Sequence, residues 1–349
     1  MDRRLQVPVV LPKRNDPRLR VSAVIIAIQI LGQTVLNFKV SIAQILVTVG
    51  MCALIDTAVT FGRHRVLAWP ASALLTGNSV ALILRANGTR HGDYWSLHGI
   101  QYFVLAALLS LGSKYLIRPA GHHVFNPSNL GIVGCLLLMG PTRVFPQYLW
   151  WGPFGLRVAA AVAVIVAGGI WILRPLGLLP TAVSFLGTFA VLVGVLAISG
   201  HTFYAIWHRG PVGGVSYWVD ICGSPEVLIF ALFMITDPQT APRAPGRRII
   251  YGAGIAVGAS ALVAMQGTEY GIKVGILAAL TVACAVIRIR ARSGAATAAS
   301  LAIALGALAG TSALASNKQV RRIERGLTSG RRTPSGGNGP PGPAGSSSQ

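Results

Sequence analysis

The chain has 349 residues, 53% hydrophobic and only 11% charged, with a mean hydropathy of +0.61. Soluble domains carry about 25% charged residues, so this composition excludes a soluble enzyme, a disulfide-stapled secreted domain and a disordered chain, and indicates an integral membrane protein. The net charge of +21 comes from 30 basic and 9 acidic residues. The basic residues sit at the two ends and in small groups between apolar runs, a pattern of topology signalling and of attraction to anionic lipid rather than of nucleic-acid binding.

Residues 1–20 read as a basic, cytoplasmic N-terminal segment. Apolar segments follow at about 21–37, 41–60, 66–84, 99–117, 129–140, 156–173, 181–198, 225–236, 249–266 and 271–287, within a transmembrane domain spanning 21–290. Residues 291–316 add one more apolar segment at about 295–315, and 317–349 form a basic Gly/Pro/Ser-rich tail expected to be disordered. The fold class this predicts is all-α: a polytopic membrane protein of about 10–11 transmembrane segments. Its two halves are expected to be pseudo-symmetric and to contain broken or half helices. The runs 129–140 and 225–236 are too short to span, and each opens on a polar, proline-bearing turn: Asn126-Pro127-Ser128-Asn129 and Cys222-Gly223-Ser224-Pro225-Glu226. Such interrupted segments mark central sites in membrane proteins; two ordinary helices with ragged ends are the alternative.

With the N-terminus inside, the inner side collects 17 Lys/Arg and the outer side 7. This places the protein in the plasma membrane with a cytoplasmic N-terminus. If 295–315 also spans, the basic tail falls outside; otherwise that segment lies on the surface. Gly254-x-x-x-Gly258 and Gly306-x-x-x-Gly310 are predicted points of close helix approach.

Three of the nine carboxylates, Asp56, Glu226 and Asp237, fall in or at the membrane, where an ionisable residue is costly and a candidate for an ion pathway. Each also has a structural reading. Asp56 is within reach of Arg63, Glu226 sits in the first turn of a short helix where the dipole favours it, and Asp237-Pro238 has the form of a helix N-cap with proline at N1. Asp93, Asp220 and Glu269 are placed in outer loops, as are Arg85 and Lys273. None of the seven histidines has i,i+4 ligand spacing and the four cysteines form no C-x-x-C, so neither a metal site nor a catalytic constellation is expected.

Two stretches together are distinctive. One is Gly112-Ser113-Lys114-Tyr115-Leu116 followed by His123-Val124-Phe125-Asn126-Pro127-Ser128-Asn129 and Gly131. The other is Phe230-Ala231-Leu232-Phe233-Met234-Ile235-Thr236-Asp237-Pro238-Gln239-Thr240-Ala241-Pro242, then Gly246-Arg247. Over about residues 15–290 the chain resembles the NqrB/RnfD family. These are the membrane subunits D of the Rnf electron-transport complex and B of the sodium-pumping NADH:quinone oxidoreductase. It is most similar to the shorter UnbU-type relatives of enediyne biosynthesis clusters. The resemblance implies flavin-linked electron transport coupled to ion translocation, or an accessory membrane redox role in enediyne-type biosynthesis, beside other membrane redox subunits. It implies Lys114, Asn126, Asn129, Ser224, Thr236 and Asp237 as cofactor- or ligand-binding residues, and a non-covalent flavin (FMN or riboflavin). The family's covalent FMN is joined to threonine in an S-G-A-T motif, which this chain lacks; Thr202, in the loop 199–224, has different neighbours. The alternative is a flavin-free, permease-like transport or binding scaffold of the same fold.

Overall fold

The computed structural model describes residues 8–13, 16–118, 123–290, 294–316 and Arg322, and for 288–290, 294–298 and 316 the backbone alone. Apart from Arg322, the tail 317–349 lies outside the described residues.

Asp16, Asn126 and Ser224 each precede a proline, and each starts a helix. The side-chain oxygen accepts from a first-turn backbone N–H, and proline, with no N–H of its own, fills the first helical position. These helices are α1 (Pro17–Thr34), α5 (Pro127–Met139) and α9 (Pro225–Ile229). A reciprocal capping box starts α2 (Ile42–His64): Ser41 Oγ accepts from Gln44 N at 2.9 Å while Gln44 Oε1 accepts from Ser41 N at 2.8 Å. The other helices are α3 (Ala71–Ile83), α4 (Ile100–Leu116), α6 (Leu156–Leu176), α7 (Leu179–Ile198), α8 (Gly214–Cys222), α10 (Pro245–Ala264), α11 (Glu269–Arg290) and α12 (Gly294–Ser316).

The protein is an all-α polytopic membrane protein. Among the described residues, five helices are long and apolar enough to cross a bilayer: α2, α6, α7, α10 and α11. A sixth apolar stretch, Gly214–Cys222 with Pro225–Met234, is bent by 40° at Gly223-Ser224, in the form of a broken span or a re-entrant segment. The helices α3 and α5 are shorter, 13 residues each, or about 20 Å at 1.5 Å per residue against roughly 30 Å of hydrocarbon. Both are followed by strand. β3 (Leu84–Ala86) leaves α3 and pairs antiparallel with β4 (Val144–Pro146), which follows α5, with Arg85 opposite Phe145. All six strand residues are buried. Non-helical backbone is tolerated here because the pairing, extended by Gln147 N to Ile83 O (2.7 Å) and Asn87 N to Arg143 O (2.9 Å), satisfies it inside protein.

The neighbour pattern repeats in part between the halves. α1 packs on α3 as α6 packs on α9, α2 on α4 as α7 on α10, and α4 on α5 as α10 on α11; α1·α6 and α5·α11 join the halves. The broken α8–α9 thus corresponds to α3 rather than to α5. Residues 199–224, read as a loop, contain β5 (Thr202–Tyr204), β6 (Pro211–Gly213) and α8.

The chain alternates between two faces. On one, β1 (Val9–Val10) pairs in parallel with β2 (Leu67–Ala68), Arg20 lies over Trp171, and Arg248 donates to the carbonyls of Gly177 and Leu176. We call this the basic face. α12 runs antiparallel to α11 and packs along it and α5, with Gln266 Nε2 donating to Thr311 O at 3.1 Å, so α12 ends on the opposite face rather than lying on the surface.

Except at Gly310, close helix approach occurs at glycines other than those paired in the sequence. A Cβ at Gly131 would overlap Ser110 and the Ala106 carbonyl; at Gly77 it would come within 2.8 Å of Val49 Cα; at Gly252 it would overlap the Thr181 carbonyl. Gly254 and Gly306 face open space, and only Gly310, against Leu137, meets the expectation of tight contact. Small residues act where a neighbour's backbone passes, which spacing along one helix does not show.

Candidate ligand cavity and buried charge cluster

The Asn126 turn and the end of α9 meet. After Ile229, α9 continues as a π-helical turn, Phe230–Met234, in which Ile235 N reaches back to Phe230 O at 3.1 Å. Widened turns of this kind are rare and concentrate at functional sites. Its carbonyl at Met234 accepts from Asn126 Nδ2 at 3.1 Å. The Oδ1 of the same asparagine accepts from Asn129 N at 3.2 Å and Ser128 Oγ at 2.9 Å. Asn126 therefore caps α5 and ties it to the other half. The two half-helices meet start to end.

This junction lines a cavity of about 710 Å³ on the basic face. Its apolar wall comes from α1 (Val21, Ile25), α3 (Leu75, Leu82), α6 (Ile172, Leu173) and the α9 turn (Leu232, Phe233). Its polar groups are Ser72, Thr76, Ser79, His123, Asn126, Ser128, Thr236, Asp237 and Gln239, with Lys13, Asp16 and Arg18 at the N-terminal end of α1. His123 Nε2 stands 3.4 Å from Asp237 Oδ2, an ion pair when the imidazole is protonated. Asp237 does not cap a helix. Its Oδ1 accepts from Gln239 N at 3.0 Å and its carbonyl from Thr240 N and Ala241 N, closing a turn that leads to α10. Thr236 Oγ1 is spent on Leu232 O at 2.6 Å. At the cavity's edge Arg18 makes a forked pair with Asp16, with contacts of 2.6, 3.0 and 3.1 Å, and this guanidinium holds the Asp16 carboxyl below the usual carboxylate range.

Next to this cavity, sharing Ile83 and Met234 with it, lies a void of about 20 Å³ lined by Glu226, Lys273, Leu149 and Leu277 among others. Two buried charges line it, Glu226 (6% exposed) and Lys273 (4%), and two more, Arg85 (6%) and Glu269 (0%), are their electrostatic neighbours. Lys273 Nζ is 3.0 Å from Glu226 Oε2, Trp151 Nε1 donates to Glu226 Oε1 at 3.1 Å, and Leu149 N donates to Glu269 Oε1 at 2.6 Å. Arg85 lies 4.1 Å from the centre of the Tyr148 ring.

The other sequence candidates sit apart from the cavity. Lys114 pairs with Asp56 at 2.7 Å, joined by the Tyr115 hydroxyl, so the partner of Asp56 is Lys114 rather than Arg63. Asn129, 1% exposed, donates to Leu277 O and Thr281 Oγ1 on α11. Ser224 caps α9, accepting from Val227 N at 3.3 Å. Among the described residues no three His, Cys, Asp or Glu side chains gather as metal ligands. Reading the sequence missed Arg85, Glu269 and Lys273 as buried residues. Glu269 and Lys273 occupy the first two turns of α11, four residues apart on one face, a spacing that was visible but lay at the margin of the apolar window.

Neither known protein families nor curated proteins show a match to this chain. The class defined by fold and composition, a multi-pass α-helical membrane protein, stands on the structure.

Proposed function

We propose that the chain is an integral membrane subunit of the NqrB/RnfD type. It holds a non-covalent flavin in the 710 Å³ cavity and serves electron transfer linked to ion movement, in company with other membrane redox subunits. The observation that carries this reading is that the two motifs of the resemblance, about 110 residues apart in sequence, line one cavity: His123, Asn126, Pro127 and Ser128 with Thr236, Asp237, Pro238 and Gln239.

The cavity's dimensions and lining suit the group. Its volume is in the range of sites for cofactor-sized ligands. Leu75, Ile172, Leu173, Leu232 and Phe233 offer apolar walls for a flat ring. Ser72, Thr76, Ser79 and Gln239 offer polar contacts at its edge, and Lys13 and Arg18 a basic margin for a phosphate. A flavin supplies reversible one- and two-electron chemistry when bound. The protein's own part is to exclude water with the apolar walls and to exchange a proton through His123, held by Asp237. Attachment through Thr202 is not part of this reading, because that residue lies on the β5–β6 hairpin outside the cavity lining. The excess of basic residues on the face bearing β1 and β2 supports a cytoplasmic side for that face.

A second reading, the flavin-free permease-like scaffold, draws on the same cavity, which lies between the two halves as transporter binding sites do. Flavin content separates the two. Protein purified in mild detergent and then denatured is expected to release flavin, and Thr76→Trp, which fills the cavity, is expected to lose most of it while remaining monodisperse. Absence of released flavin, together with no quenching of added FMN or riboflavin fluorescence by the purified protein, overturns the flavin reading.

A further inference from the structure

We propose that Glu226 and Lys273, with Arg85 and Glu269 as their buried electrostatic neighbours, line a water-holding proton-exchange site, reached from the large cavity past Ile83 and Met234. The inference is independent of whether the large cavity holds flavin.

Four charged side chains are buried together at the core of a membrane protein, where each is costly unless compensated. Two cations and two carboxylates balance in charge, and each carboxylate has Lys273 and Arg85 as electrostatic neighbours. Their hydrogen bonding does not balance. Arg85 Nε and Nη1, Lys273 Nζ and Glu269 Oε2 are all buried with no hydrogen-bond partner. The ion pair with Glu226 Oε2, at 3.0 Å, is the contact that Lys273 Nζ has there. An orphaned buried polar atom costs about 1–3 kcal/mol, so this set requires a further partner. The void beside Lys273 and Glu226, about 20 Å³, is large enough for one water, which needs about 10–15 Å³ of such space and two to four polar neighbours.

The groups around this site are the following. α11 supplies Glu269, Lys273 and Tyr270; β3 supplies Arg85; residues 147–151 supply Tyr148 and Trp151; and Trp207 approaches Glu269. Proton exchange then needs no electron carrier: an O–H bond of the water breaks as an O–H bond forms on the Glu226 carboxylate, and the water oxygen regains a proton from the Lys273 ammonium, whose N–H bond breaks, leaving a neutral acid and a neutral amine. Ile83 and Met234 line both this void and the large cavity. Met234 closes the π-helical turn, where the regular ladder is interrupted, and its unbranched side chain repacks at low cost. Motion of Met234 therefore joins the small void to the cavity.

Infrared difference spectroscopy of the purified protein in lipid, on stepping the pH, is the test. A carboxylic acid C=O band is expected to appear on acidification and to shift on exchange into D₂O. It is expected to be lost in Glu269→Gln or Glu226→Gln, and to exchange several-fold more slowly in Ile83→Phe. The paired variant Glu226→Gln/Lys273→Met removes both members of one ion pair and serves where a single variant does not fold; in it the band must again change. The proposal is overturned if folded variants keep the wild-type band, or if the band does not respond to D₂O. It is also overturned if the band moves at fixed pH when sodium replaces choline or chloride replaces gluconate, which is the mark of an ion site instead.

Discussion

Asn126 does two jobs that substitution can separate. Its Oδ1 caps α5 and its Nδ2 ties that helix to the Met234 carbonyl of the other half. Serine caps about as well as asparagine but cannot reach across, whereas alanine does neither. Losing the tie strands a buried carbonyl at about 1–3 kcal/mol, and losing the cap costs about 0.5–2 kcal/mol more. Asn126→Ser is therefore expected to be destabilised by roughly 2 kcal/mol, and Asn126→Ala by roughly 3. At about 2 °C per kcal/mol for a chain of this size, the Tm values fall by about 4 and 6 °C. The assay is thermal unfolding of detergent-solubilised protein followed by intrinsic tryptophan fluorescence. Both variants should also bind less ligand, because the tie sits in the cavity wall. If Asn126→Ser melts with the wild type and Asn126→Ala falls by the capping increment alone, the tie between the halves carries no weight and the reasoning fails.

Asp237→Asn should leave the melting temperature nearly unchanged, since asparagine also accepts from Gln239 N. It removes the charge beside His123 and is expected to abolish growth of a strain dependent on the protein; full complementation would reduce Asp237 to a turn residue. Lys273→Met leaves Glu226 buried without its cation and is expected to cost about 3–5 kcal/mol, while Glu226→Gln/Lys273→Met recovers most of the loss; a double variant no more stable than the single refutes the pairing. Gly131→Ala forces α4 and α5 apart and is expected to cost about 1–3 kcal/mol, whereas Gly254→Ala, with open space at its Cβ, is expected to be neutral. Equal melting temperatures for those two glycine variants contradict the packing.

Membrane class and the positions of the helices were legible in the residues themselves, because both depend on local quantities. Every apolar run expected from hydropathy lies on a helix, and Asp16-Pro17, Asn126-Pro127 and Ser224-Pro225 each mark a helix start within one residue. Capping and span length are decided by neighbours along the chain. Of the motif residues singled out, Asn126, Thr236 and Asp237 line the cavity, while Lys114 and Asn129, chosen on the same grounds, point to α2 and α11. Which side of a helix meets which partner is a long-range matter, and one sequence does not carry it. The same reason hid the charge cluster. Arg85 belongs to a buried strand whose partner lies some 60 residues on, and Glu269 and Lys273 look like loop charges until residues 147–151 fold over them. Only the tertiary structure brings two cations and two carboxylates to one point, where their mutual compensation lets each remain in a medium that would exclude it alone.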